Sequence, residues 1–176
     1  MKEYYFNTSE ISSWSKTVKA GDRIFLSGIV YTARDAAHKR IVEALQNNTD
    51  LPFDLNNSAI YYAGPTPTPN GLSIGSCGPT TSSRMDIYAP LLMKNGLKCM
   101  IGKGERDKSV CDAIIENSAV YLCAVGGAGA LAAKSIISCE VIAYDDLGCE
   151  SVKKLEFKDF PLIVAIDSNG GNLFNK

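Results

Sequence analysis

The sequence predicts an α/β domain with parallel strand pairing, and three observations carry that prediction. From Arg23 to Tyr144, short apolar runs rich in branched and aromatic residues alternate with segments of helical periodicity. Glycine, proline and asparagine mark the junctions between them. The tail then carries two apolar runs with no helical segment between them, which predicts antiparallel strands added at an edge.

The elements follow in order. Residues 1–20 are polar, with Trp14 as the expected anchor. Arg23–Tyr31 reads as a buried strand interrupted by Gly28, the mark of a bulge. Thr32 and Asp35 form a T-x-x-D capping signal before a helix over Ala36–Leu45, whose apolar face is Ala37, Ile41, Ala44 and Leu45. Asn47–Asn57 is a loop and Ala59–Ala63 a short strand. Pro65, Pro67 and Pro69 predict a stiff extended connection with a tip at Asn70-Gly71. Helical periodicity returns over Arg84–Lys94 and closes at Asn95-Gly96. A strand over Leu97–Ile101 is followed by Gly102-Lys-Gly104 and a helix from an Asp107 cap to Ile115. Ala119–Val125 is a strand, Gly126–Ala130 opens a small-residue helix through Ile137, and Cys139–Tyr144 is another strand. Leu155–Phe157 and Pro161–Ile166 are the tail strands, before a turn at Ser168–Gly171.

Composition narrows the function classes. With 176 residues, 45% hydrophobic and 21% charged, the chain is expected to form one domain over residues 1–176 with a real core. A formal net charge of −1 offers no electrostatic case for nucleic acid or an anionic membrane. No apolar run has the length of a membrane span, and the first residues lack the pattern of a secretory signal, so the cytoplasm is the expected location. The six cysteines lie more than four residues apart, without the C-x-x-C spacing of a metal clip. Cys99, Cys123 and Cys139 fall in or beside strand-like runs; Cys77 alone sits in a chemically suggestive loop. A single histidine, His38, cannot build a multi-histidine site, and no metal site is expected in this chain.

Three cations share one context. Arg34 opens a helix directly after a strand, and Lys103 sits between glycines directly after another. Arg84 follows the hydroxyl-rich loop Gly75-Ser-Cys-Gly-Pro-Thr-Thr-Ser-Ser83. All three are expected at the carboxyl ends of strands, where α/β sheets bind ligands. Convergent cations repel unless an anion lies between them, which points to a dicarboxylate or a phosphate. Thr80 and Thr81 face the same end; from the residues alone, a helix cap is the plainer role for at least one of them. Asp35 and His38, one helical turn apart, are a candidate acid–imidazole pair. Gly126–Ala130 resembles a phosphate-cradling loop but lacks the spacing of a dinucleotide or P-loop motif.

Several motifs in the same order resemble a known family. They are Gly21-Asp22 with Leu26-Ser-Gly28, Ala33-Arg-Asp-Ala-Ala-His38, Gly78-Pro-Thr-Thr-Ser-Ser-Arg-Met-Asp86, Ile101-Gly-Lys-Gly104, Gly126-Gly-Ala-Gly129 and Asp159-Phe-Pro161. Across nearly its whole length the chain is similar to the beta subunit, or C-terminal domain, of class I fumarate hydratase and L(+)-tartrate dehydratase, the iron–sulfur hydro-lyases. That resemblance implies a swivelling β/β/α three-layer domain and reversible addition of water to a small dicarboxylate. It implies a 4Fe–4S cluster held by a partner alpha subunit, in an assembly of two plus two chains, with self-association as an alternative for the lone chain. It assigns Arg34, Arg84 and Lys103 to the substrate carboxylates and Thr80 to the proton on the substrate carbon. Thr81, Asp35 and His38 remain secondary candidates. Two further readings stay open: a non-catalytic module that binds an anionic metabolite, and a phosphate or nucleotide binder built on the glycine loop.

Overall fold

The computed structural model describes residues 1–124 and 129–175. Seven strands among them form one mixed sheet with helices, an α/β arrangement as expected. The strands are β1 (Glu3–Asn7), β2 (Arg23–Thr32), β3 (Ala59–Tyr61), β4 (Cys99–Gly102), β5 (Val120–Ala124), β6 (Ile136–Ala143) and β7 (Val152–Ile166). The helices are α1 (Ile11–Trp14), α2 (Asp35–Gln46), α3 (Ala89–Lys94), α4 (Lys108–Glu116) and α5 (Gly129–Lys134).

Strands β1 to β5 pair in parallel, neighbour to neighbour. Strand β7 runs antiparallel to β2, β5 and β6, so β2–β3–β4–β5–β7 closes into a circuit. Strands β3 and β4 and the first half of β5 are consequently buried on both faces. Tyr61, Cys99, Ile101, Val120 and Leu122 point into one core with Leu155, Phe157 and Phe160 of β7. The residues between them, Ile60, Tyr62, Met100 and Tyr121, point into a second core beneath α2, α3 and α4. Two-sided burial explains why these strands read as continuous apolar runs rather than alternating ones.

Several expectations are corrected. The polar N-terminal stretch contains β1, whose Tyr4 and Phe6 face the core while Tyr5 stays exposed. Phe6 stacks on Trp14, the anchor foreseen, at 5.1 Å. Thr32 does not cap α2; its hydroxyl accepts from the Lys153 N–H at 3.1 Å and Arg34 holds the cap position. The helix expected over Arg84–Lys94 is a 3-10 turn at Ser82–Met85 and a separate α3, divided before Pro90.

The two tail strands are one strand of 15 residues. Its inward residues shift from Leu155 and Phe157 to Phe160, Leu162 and Val164, a change of phase that reads as a break. The cause is a bulge opposite Ser27, where the register with β2 slips and Asp159 takes φ +48°. The Asp159 N–H donates to Ser27 Oγ at 2.9 Å. Gly28 holds φ +103° at the same bulge, and a Cβ there would collide with Thr8 and Asn7.

Candidate functional site

Because β2, β3 and β4 are parallel neighbours, the segments leaving their carboxyl ends meet at one edge. Arg34 follows β2 by two residues and Lys103 follows β4 directly. The loop after β3 returns to the same edge: the Thr80 N–H donates to the Tyr62 carbonyl at 2.7 Å, and Thr81 bridges Lys103 in parallel pairing. Arg84 Nε donates to Asp35 Oδ1 at 2.9 Å, which ties the 3-10 turn to the start of α2 beside Arg34. The edge therefore gathers Arg34, Asp35, Thr80, Thr81, Arg84 and Lys103.

The electrostatics differ from the expectation of three uncompensated cations. Asp35 pairs with Arg84, and Glu150, in a 3-10 turn before β7, lies 3.6 Å from Arg34 Nε. Among the described residues no carboxylate pairs with exposed Lys103. Arg34 passes Gly64, where an added Cβ would stand 3.2 Å from its Cδ. Arg84 keeps 54% of its side-chain surface, so it can still turn its free guanidinium nitrogens to an incoming anion. Neither threonine acts as the expected cap. Thr81 stands at the cap position of the 3-10 turn with no side-chain bond, and half-buried Thr80 makes no hydroxyl hydrogen bond among the described residues.

Beneath the edge lies a buried polar support that the sequence analysis missed. Arg106 and Asp86, with side chains 0% and 1% exposed, pair at 2.6 Å. Arg106 also donates to Tyr62 Oη and lies against the Tyr62 and Tyr121 rings, 5.2 and 4.7 Å from their centroids. Asp86 Oδ2 accepts the Asp107 N–H at 2.7 Å. Tyr121 Oη lies 2.9 Å from Ser82 Oγ and 2.8 Å from the Gly104 carbonyl. Ser82 Oγ in turn accepts the Lys103 N–H, and a Cβ on Gly102 would overlap it. Every loop that carries a site residue after β3 or β4 is thus fastened to this cluster. Asp86 was visible only as the last residue of a motif, and Arg106 as one more charge in a loop.

His38 does not pair with Asp35, whose carboxylate goes to Arg84. It is fully buried, and its Nδ1–H donates to the Arg34 carbonyl at 2.8 Å. Burial pushes its pKa down to about 4, against the raising effects of that bond and of Asp35. A base depressed in the folded state binds fewer protons than in the unfolded state, so stability is complete above pH 6.5 and lost as pH falls toward 4. The loss expected from this residue is about 3 kcal/mol. A His38→Gln variant flattens the pH dependence of urea unfolding between pH 6.5 and 4; an unaltered slope would contradict this account.

Cys77 is not a site residue either. It is buried in the first core, and burial pushes its thiol up to about 12. In the native chain an alkylating reagent at pH 8 is expected to modify exposed Cys149 and to leave Cys77 and Cys99 intact, as read by peptide mass spectrometry. Modification of Cys77 before unfolding would overturn its placement. Of the glycine loop, Gly126, Gly127 and Ala128 lie outside the described residues; Gly129 and Ala130 open α5.

Sequence comparison adds a second line of observation. The model of the family described as Fumarase C-terminus matches residues 2–176. Fumarate hydratase 2 of Leishmania major is 41% identical over 158 residues, which is 89% of this chain and 28% of that protein. The aerobic class I fumarate hydratase of Escherichia coli K12 is 40% identical over 88% of this chain and 28% of its own length. A Methanocaldococcus jannaschii protein named as an L(+)-tartrate dehydratase subunit beta is 40% identical over 99% of this chain and 92% of its own length. The chain therefore spans 28% of the length of these two fumarate hydratases.

Proposed function

The chain belongs to the Fumarase C-terminus family, and from that premise we propose that it is the small subunit of a hydro-lyase that adds or removes water on a small dicarboxylate. The observation that carries this reading is the convergence of Arg34, Arg84, Lys103 and Thr80 on one sheet edge. Fumarate and malate are the leading substrate pair and tartrate the next. The closed strand circuit, with a core on each face of the parallel strands, supports reading the domain as a swivelling β/β/α unit.

In this reading the two substrate carboxylates take Arg34, Arg84 and Lys103 as partners. Arg84 offers a planar fork already held at Nε by Asp35, and Arg34 lies 3.6 Å from Glu150, its Nε without a hydrogen bond among the described residues. Lys103 adds a mobile point charge from a backbone held by Ser82. The Thr80 hydroxyl, on a segment pinned through its own N–H, exchanges the proton on the substrate carbon.

The residues of this chain do not fit a 4Fe–4S cluster. Cys77 and Cys99 are buried as protonated thiols, and no group of three or more ligating side chains is placed to hold a metal among the described residues. The cluster is accordingly assigned to a partner alpha subunit, in an assembly of two plus two chains working in the cytoplasm. No helix among the described residues is long and apolar enough to cross a membrane.

The test is anaerobic hydration of fumarate by this chain alone and mixed with a reconstituted cluster-bearing alpha subunit from the same source. Activity only in the mixture is the expected result. A mixture that assembles yet hydrates neither fumarate nor, in the reverse sense, dehydrates tartrate would favour a binding module without chemistry.

A further inference from the structure

The loop before Thr80, α5 and β6 enclose an open apolar groove of about 570 Å³. Its floor is Ile74 and Ile136, each 3% exposed and part of the first core. Its rims are Leu72 and Ile137, which are 62% and 50% exposed, and Ala130 and Ala133 of α5 line it. Leu131, on the same helix, is 62% exposed. Large apolar side chains gathered around a concave surface mark an interaction site rather than a scatter of surface residues.

The groove and the candidate site share one segment. The Cys77 N–H donates to the Gly129 carbonyl at 3.1 Å, and a Cβ on Gly129 would collide with Ser76. The same segment continues through Pro79 into Thr80 and Thr81 at the cation edge. A body that closes over the edge is therefore within reach of the groove.

We infer that this groove seats the chain that supplies the rest of the enzyme, through an apolar surface segment carrying a carboxylate opposite Lys134. The inference rests on the two-chain reading above. Two observations choose this occupant. The matched region is 28% of the fumarate hydratase relatives but 92% of the subunit beta relative, so in this family the same domain occurs both joined to a longer remainder and as a chain of its own. Among the described residues, Lys134 is the one charged residue lining the groove. Two copies docked symmetrically through the groove would bring like charges together with no carboxylate among its described lining residues to offset them.

The test is a Leu72→Asp/Ile137→Asp variant, mixed with the cluster-bearing chain from the same source and followed by sedimentation velocity. Both positions are exposed, so the variant alone is expected to melt within a few degrees of the wild type. Its association with the partner is expected to weaken at least tenfold, while an Ile115→Asp control on α4 binds as the wild type does. A wild type that assembles and a variant that assembles equally well would overturn the groove and leave the subunit reading standing. A wild type that fails to assemble overturns both. Self-association of the wild type that the variant abolishes, with partner binding unchanged, would assign the groove to a second copy and overturn the choice of occupant.

Discussion

Replacing Asp86 with alanine is expected to destabilise the lone chain by about 3–5 kcal/mol, the range for leaving one partner of a buried ion pair uncompensated. Arg106 would keep its charge beneath α3 and α4 with only the Tyr62 hydroxyl, the Met100 sulfur and two aromatic rings around it. The Asp107 N–H at the start of α4 would lose its acceptor as well. For a chain of this length, each kcal/mol corresponds to roughly 2–4 °C in Tm. The melting temperature should fall by about 10 °C, and calorimetry of the purified chain checks it. Removing both charges, as Asp86→Leu with Arg106→Met, is expected to recover part of the loss, because an apolar pair of similar volume leaves no buried charge. A single variant that melts with the wild type would show that the pair contributes nothing to the fold.

Replacing Arg84 with alanine acts on the opposite side of the same turn, where the side chain is half-exposed and little stability is at stake. On the proposed two-chain reading, its expected effect lies in the assembled enzyme. Once a dianion and a second subunit exclude water from the edge, losing one partner of a charged hydrogen-bonded pair costs about 2–5 kcal/mol. That is on the order of 30- to several-thousand-fold in kcat/KM. Arg84→Lys keeps the charge but not the fork, and should recover only part of the activity. Steady-state kinetics of fumarate hydration by the proposed two-chain enzyme reads both variants. A kcat/KM equal to the wild type for Arg84→Ala would remove this residue from the site.

The two variants also separate what was legible in the residues from what was not. Arg84 could be singled out because its signal is local: hydroxyls, a Gly-Pro turn and an arginine within a few positions. The same holds for Lys103 between its glycines and for Arg34 at a strand-to-helix junction. Asp86 and Arg106 are 20 positions apart, and nothing in the spacing pairs them. Glu150 reaches Arg34 from beyond four intervening strands, and Asp35 reaches Arg84 across 49 positions. In the sequence Asp35 seemed matched to His38, its neighbour by helical spacing, because periodicity shows which residues share a face but not what that face meets.

By itself the sequence determined the α/β alternation, the bulge at Gly28 and the three cations at the ends of strands, because periodicity, turn chemistry and strand-end position depend on near neighbours alone. The tertiary structure decided that β7 crosses the sheet as one strand and closes it, since a bulge shifts the inward phase and only the partner strand carries the pairing through. It decided that His38 is buried and neutral, that Cys77 is packing, that Asp35 binds Arg84 and that Glu150 stands beside Arg34. Those outcomes depend on contacts between residues distant in the chain, and a charge or a hydroxyl carries no mark of its partner until the fold brings the two together.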